Sequence, residues 1–276
     1  MTLNGIVLFF RNMTEQYELL DRQGYTSTVY RLVSEDPPRL CKAFDASLER
    51  NQVLYSIEKA VYESFEAHDH PDSILEYYGP HDRIQNGLVL EYAEKRDLWA
   101  YLWDQERQGH APPNDTMLYR WAIQAAEALE FAHSLHIFNS DIHPINFFLT
   151  SDLHLKVGDW AGASIHGGTT YSSYRMRYRL FDREGNDVVR TEGVSAKTEI
   201  FAFGSALYFM ITGHEPWMTV PLDDDEEIKR RITDRRFPEV TELHILAEVV
   251  RRCWLVEFSS MDEVKQAVMS EEQSHK

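Results

Sequence analysis

Asp141 and Asn146 stand five residues apart in Asp141-Ile142-His143-Pro144-Ile145-Asn146, and Asp159 follows thirteen residues later in Asp159-Trp160-Ala161-Gly162. One carboxylate able to orient a hydroxyl, with an amide oxygen and a second carboxylate suited to a hard divalent cation, is the equipment of phosphoryl transfer. Either half alone is weak, because Asp and Asn at this spacing also occur in solvated turns. Their setting adds weight: Phe147-Phe148-Leu149 and Leu153-His154-Leu155-Lys156-Val157 are strand-like runs around a Thr150-Ser151-Asp152 turn. That pattern predicts a hairpin with one polar motif at each end. A cation for phosphate is offered by Lys42, which alternation in Leu40-Cys41-Lys42-Ala43-Phe44 places on the face opposite Cys41 and Ala43. Glu58 precedes the apolar stripe Val61, Tyr62 and Phe65, so a helix packed on the sheet by that stripe would bring Glu58 to Lys42. Glu49, Glu63 and Glu66 share that segment and leave the alternative of one more exposed acid.

The positioning elements change character along the chain. Strands are expected at Tyr17 to Leu20, Ser27 to Val33, Arg39 to Phe44 and Leu88 to Tyr92, with one helix at about Leu48 to Ala67. Gly5 to Phe10 also reads as a strand, being too short for a signal segment and lacking a basic residue before it. After residue 95, Leu118, Trp121, Ala122, Ala125, Leu129 and Ala132 recur at helical spacing, and Ile200 to Gly213 reads as a buried helix. Strands followed by a helical mass predict an α+β fold of two lobes, divided at Ala93-Glu94-Lys95-Arg96-Asp97.

A chain of 276 residues with 43% hydrophobic and 26% charged residues has ample material for a core. Its 45 acidic against 28 basic residues give a net charge of −17, which argues against nucleic acid or an anionic membrane as partner and makes any phosphate site local. No apolar run approaches the roughly 18 residues needed to span a bilayer. Cys41 and Cys253 lie far apart in apolar surroundings and are expected to be buried free thiols, which suits the cytoplasm without excluding the nucleus. Asp223 to Glu227 reads as the acidic first turn of a helix.

With these segments in view, the chain resembles the eukaryotic protein-kinase family over roughly residues 15 to 268. Gln23-Gly24-Tyr25-Thr26-Ser27-Thr28-Val29-Tyr30 is similar to its glycine-rich loop, and Leu90-Glu91-Tyr92-Ala93 to its gatekeeper and hinge. Glu199 to Tyr208 resembles the buried central helix, with Thr212 to Trp217 after it, and Cys253-Trp254 the closing helix. In overall texture the chain is similar to short single-domain kinase-like proteins of filamentous fungi. The resemblance implies one bilobal domain: an N-lobe at about 1–92, a hinge at 93–97, a C-lobe at 98–268 and a tail at 269–276, of which Ser270 to Lys276 read from the sequence as frayed. It implies ATP and Mg²⁺, with Lys42 on the α- and β-phosphates, Glu58 orienting it, Asp141 receiving the hydroxyl proton, and Asn146 and Asp159 holding the metal. Gly24, Val29, Leu90, Glu91, Ala93 and Leu149 would surround the nucleotide, and Asp97 would be a ribose contact or a helix N-cap. The partner implied is a protein substrate carrying serine or threonine; oligomeric state is left open.

Several positions depart from the family pattern. Only the middle glycine of the loop remains, with Arg22 and Ser27 at the outer positions. Asn139-Ser140 replaces the usual His-Arg before Asp141, His143 stands where many serine/threonine kinases place a lysine, and Ala161 takes the glycine position after Trp160. Both halves of a customary ion pair, an A-P-E glutamate and an arginine after Trp254, are missing together. The segment from Asp159 to Glu199, with Thr169 to Tyr174 followed by Arg175, Arg177, Arg179 and Arg183, is expected to be a mobile surface loop, the alternative being a modifiable loop with a basic docking face. Two rival functions are a pseudokinase scaffold and a small-molecule phosphotransferase similar to aminoglycoside or choline kinases.

Overall fold

The computed structural model describes residues 17–21, 26–241 and 243–275. The strand expected at Gly5 to Phe10, and Gly24, lie outside these. Five antiparallel strands form the first sheet: β1 (Tyr17–Asp21), β2 (Ser27–Leu32), β3 (Arg39–Phe44), β4 (Tyr77–Pro80) and β5 (Gly87–Glu91), in the order β1-β2-β3-β5-β4. The central strand β3 alternates as expected. Cys41 and Ala43 pack with Tyr30 and Ile84 on one face, while Phe44 joins the main core on the other, where α1 (Glu49–Glu66) lies. In the register, Val29, Lys42 and Leu88 stand side by side. Glu58 is fully buried on the same helical stripe as Leu54, Val61, Tyr62 and Phe65.

The helical lobe consists of α2 (Leu98–Arg107), α3 (Asp115–Ser134), α4 (Val188–Glu192), α5 (Ala196–Thr212), α6 (Asp225–Thr233), α7 (Ala247–Trp254) and α8 (Met261–His275). Two small ladders, β6 (Ile137–Phe138) with β9 (Ser164–Ile165) and β7 (Phe147–Leu149) with β8 (Leu155–Val157), carry the loops between. The β7–β8 pairing is the hairpin expected from the sequence, with Phe147 opposite Val157. Helix α3 begins at Asn114, whose side chain accepts from the Met117 N–H, and buries Ala122, Ala125, Ala126 and Ala132. Those small side chains let α8 and β8 approach closely. Helix α5 is buried almost all round, opens on a Ser195–Thr198 capping box and stops at Gly213, whose φ of 71° is the left-handed conformation that favours glycine. Asp224 caps α6, whose first turn is acidic as expected, and both cysteines are free and buried.

The chain end differs from expectation. Residues 269–275 are not frayed: α8 continues to His275, where Glu271 accepts from Tyr119 and the Leu246 N–H, and His275 pairs with Asp115 at 2.9 Å. Among the described residues no helix is long and apolar enough to cross a membrane.

Candidate active site

Strand β3, helix α1 and the turn after β8 converge on one cation. Lys42 Nζ lies 2.7 Å from Glu58 Oε2 and 2.7 Å from Asp159 Oδ1, and Glu58 Oε1 also accepts from the Trp160 N–H at 3.2 Å. The pairing of Lys42 with Glu58 is therefore present, and helix, strand and loop are tied at a single point. Burial opposes the charge on Lys42, but the two carboxylates outweigh it and raise its pKa. Burial raises the Glu58 carboxyl against the opposing pull of Lys42. For Asp159 burial again acts upward, yet the Lys42 ammonium holds the group below its ordinary range. Asp159 has a φ of 53°, a left-handed conformation that aspartate tolerates better than most side chains and that turns the carboxylate toward Lys42.

Asp141 sits in the loop between β6 and β7, and its support comes from below. Ser140 is buried in a left-handed conformation, φ 69°, and its N–H donates to Glu199 Oε1 at 2.7 Å. Tyr174 Oη donates to the same oxygen at 3.2 Å, and His133 Nε2 donates to Glu199 Oε2 at 2.7 Å. A loop, α3, α5 and the segment before α4 thus meet on one fully buried glutamate. Such a backbone conformation costs on the order of 1–3 kcal/mol and persists only where the surroundings hold it. Sequence reasoning placed Glu199 in a buried helix but missed this role. Asn146 Nδ2 donates to the Asp141 carbonyl at 2.8 Å and to Asp141 Oδ2 at 3.3 Å. Burial, reinforced by the nearby Asp159 charge, raises the Asp141 pKa to about 6, with Arg175 and Asn146 opposing.

Lys42, Glu58, Asp141, Asn146 and Asp159 line one cleft of about 1070 Å³, together with Val29, Leu90, Glu91, Ala93 and Asp97. Its apolar wall is completed by Leu40, Leu54, Leu75 and Phe148, which the sequence did not single out. Leu149 is a correction: it is fully buried in the core, and its neighbour Phe148, on the opposite face of β7, lines the cleft instead. Asp97 does cap α2, accepting from the Ala100 N–H at 2.8 Å, while also lining the cleft. Glu91 pairs with Lys156 at 2.8 Å, which fixes the strand between the lobes.

The segment after Asp159 is not simply a surface loop. Arg177 is buried and donates to the carbonyls of Pro216, Trp217 and Val220 at 2.6–2.8 Å, with Glu215 at 3.5 Å. Arg179 donates twice to the Tyr174 carbonyl. The Arg177–Glu215 pair thus ties this segment to the loop after α5, although the ion pair sought in the sequence is absent. Thr170 Oγ1 donates to the Gly162 carbonyl at 2.8 Å, and a Cβ on Gly162 would fall 2.2 Å from Ser172 Cβ, so only glycine fits there. His143 is fully buried between the Trp99 and Tyr178 rings, with Nδ1 accepting from the Ile145 N–H. Burial lowers its pKa to about 4.

The donor set suits magnesium. Asn146 uses its NH₂ on Asp141, which leaves Oδ1 as a free acceptor, and Asp159 adds a carboxylate held ionised by Lys42. Two hard oxygen donors, with water and phosphate oxygens completing an octahedron, are what Mg²⁺ takes in phosphate chemistry.

A protein-family model described as "Protein kinase domain" matches residues 23–268. The inactive serine/threonine-protein kinase PLK5 of Mus musculus is 28% identical over 162 residues, 59% of this chain and 26% of that protein. Serine/threonine-protein kinase Aurora-2 of Arabidopsis thaliana is 26% identical over 197 residues, 71% of this chain and 65% of its own length. Aurora kinase A-B of Xenopus laevis is 28% identical over 195 residues, 70% of this chain and 45% of its own length. The chain therefore spans from about a quarter to just under two-thirds of the length of these relatives. Nothing among them supports the small-molecule phosphotransferase reading. A family match running through both lobes, over a cleft walled by a five-stranded sheet and a helical lobe, places the chain in the protein kinase domain family.

Proposed function

We propose that this chain is an active protein kinase that transfers the γ-phosphoryl group of MgATP to a serine or threonine hydroxyl of a protein. The observation that carries the reading is Lys42 held 2.7 Å from both Glu58 and Asp159, with Asp141 and Asn146 in the same cleft. Lys42 presents its ammonium to the α- and β-phosphates, and Glu58 stops it from swinging away. Asn146 Oδ1 and Asp159 would hold magnesium, which when bound neutralises charge on the phosphates. Asp141, raised to about 6 yet ionised at neutral pH, orients the acceptor hydroxyl and takes its proton. Val29, Leu90 and Ala93 enclose the adenine. The two buried thiols favour a reducing compartment.

A scaffold without catalysis is the second reading, favoured by the mouse relative named inactive and by the single glycine left in the phosphate loop. Incorporation of labelled γ-phosphate into the protein itself and a basic protein substrate separates the two. Wild type should transfer phosphate, and Asp141→Asn should lose about 10²–10⁴-fold in rate while keeping MgATP affinity. A variant with unchanged turnover would remove Asp141 from the mechanism, and wild type without transfer would favour the scaffold.

A further inference from the structure

Phosphoryl transfer calls for positive charge at the γ-phosphate, on the acceptor side of the cleft. Lys42, held by Glu58 and Asp159, serves the α- and β-phosphates in the reading above. His143, two residues after Asp141, is fully buried and held neutral, its ring against Trp99 and Tyr178 and its Nε2 donating toward Glu215 at 3.5 Å. It brings no charge to the acceptor side. Among the described residues three further cations line the cleft: Arg50, Arg96 and Arg175. Arg96 pairs with Asp104 at 3.3 Å. Arg175 follows Ser172 and Ser173 along the same cleft lining that holds Asp141, Asn146 and Asp159.

The backbone of Arg175 is fixed on both sides. Before it, Tyr174 is buried, with its hydroxyl on Glu199 and its carbonyl held by Arg179. After it, the Arg175 carbonyl accepts from the Tyr178 N–H at 2.8 Å, and Arg177 is locked onto three carbonyls. Arg175 itself is exposed, and its guanidinium forms no ion pair with a carboxylate among the described residues. A cation with no ion-pair partner among the described residues, carried on a rigid base in the same cleft as Asp141 in a chain of net charge −17, is poised for an anion.

Resting on the phosphotransfer reading above, we propose that Arg175 is a catalytic residue whose guanidinium contacts the γ-phosphoryl group and supplies the positive charge that His143 does not. The acceptor oxygen forms the new bond to phosphorus as the bond from the γ-phosphorus to the β–γ bridging oxygen breaks. ADP leaves with that electron pair, and the hydroxyl proton passes to Asp141. Arg175 stabilises the charge spread over the three equatorial oxygens during the step.

The test compares wild type, Arg175→Ala and Arg175→Lys in calorimetric titrations with MgATP and with MgADP, alongside phosphate transfer. Arg175→Ala should weaken MgATP roughly 10- to 100-fold and leave MgADP unchanged, with lysine recovering part of the loss. Transfer should fall by about 10²–10³-fold. Equal weakening of both nucleotides, or of neither, overturns the proposal. Should wild type bind MgATP without transferring phosphate, the phosphotransfer reading fails, while selective loss of MgATP by Arg175→Ala still supports the contact. Wild type that binds neither nucleotide overturns both.

Discussion

Glu58 and Glu199 are both buried to 0% exposure, yet they are satisfied in opposite ways. Glu58 meets an ammonium and one backbone N–H, and through them joins the nucleotide wall to the Asp159 loop. Glu199 is met by a backbone N–H, a phenol and an imidazole nitrogen, and it props the loop that carries Asp141. One buried acid makes its site by charge and the other by geometry. The difference matters because a charged partner can be re-paired or titrated away, whereas several converging donors without an acceptor have nowhere to go.

Glu199→Ala tests the geometric half and should have the largest effect. Stranding three donors, one of them main-chain, is expected to cost about 3–5 kcal/mol of unfolding free energy, read by urea denaturation; near-wild-type stability would show that the catalytic loop is held by other contacts. Lys42→Met tests the charged half. Removing the cation should cost about 3 kcal/mol at pH 8 and distinctly less at pH 5. The sign follows from two carboxylates left facing each other: their folded pKa values rise above the unfolded ones, so stability is kept at low pH and lost as pH climbs. Equal losses at both pH values would mean that Glu58 and Asp159 do not feel each other.

His143 belongs to the neutral side. Its folded pKa of about 4 lies below its ordinary value of 6.5, so the unfolded chain takes up the extra proton between those values and stability falls as pH drops through them. His143→Asn keeps an acceptor for the Ile145 N–H and removes the titration. The loss of stability between pH 7 and 4.5 should then shrink by about 2 kcal/mol, and an unchanged acid profile would assign the sensitivity elsewhere. Smallest is Asp97→Ala, expected to cost about 1 kcal/mol through the lost cap; a rise in the Kd for ATP beyond that would add a ribose contact to the cap.

The charged half was legible in the sequence because each of its members sits in a local pattern of its own. Strand alternation turned Lys42 away from Cys41, helical spacing aimed Glu58, and Asp141, Asn146 and Asp159 flank one short hairpin. The geometric half was not, because His133, Ser140, Tyr174 and Glu199 come from four separate segments and two of the groups they offer are ordinary polar atoms. Arg177 looked like a solvated arginine because its partners are main-chain carbonyls, which no side-chain pattern encodes. Leu149 was misplaced by one residue: alternation shows that Phe148 and Leu149 face opposite ways, but not which way the cleft lies. Strand β4 was missed because Tyr77–Pro80 is a short edge strand containing glycine and proline.

The close approach of Gly162 to Ser172 has a dynamic consequence. With the Thr170 hydroxyl and the Tyr171 amide both on the Gly162 carbonyl, the loop after Asp159 and the 170–172 stretch share one set of protecting contacts. Opening one strip is expected to open the other, so their protected amides should show one common free energy of opening in hydrogen exchange rather than unzip in turn.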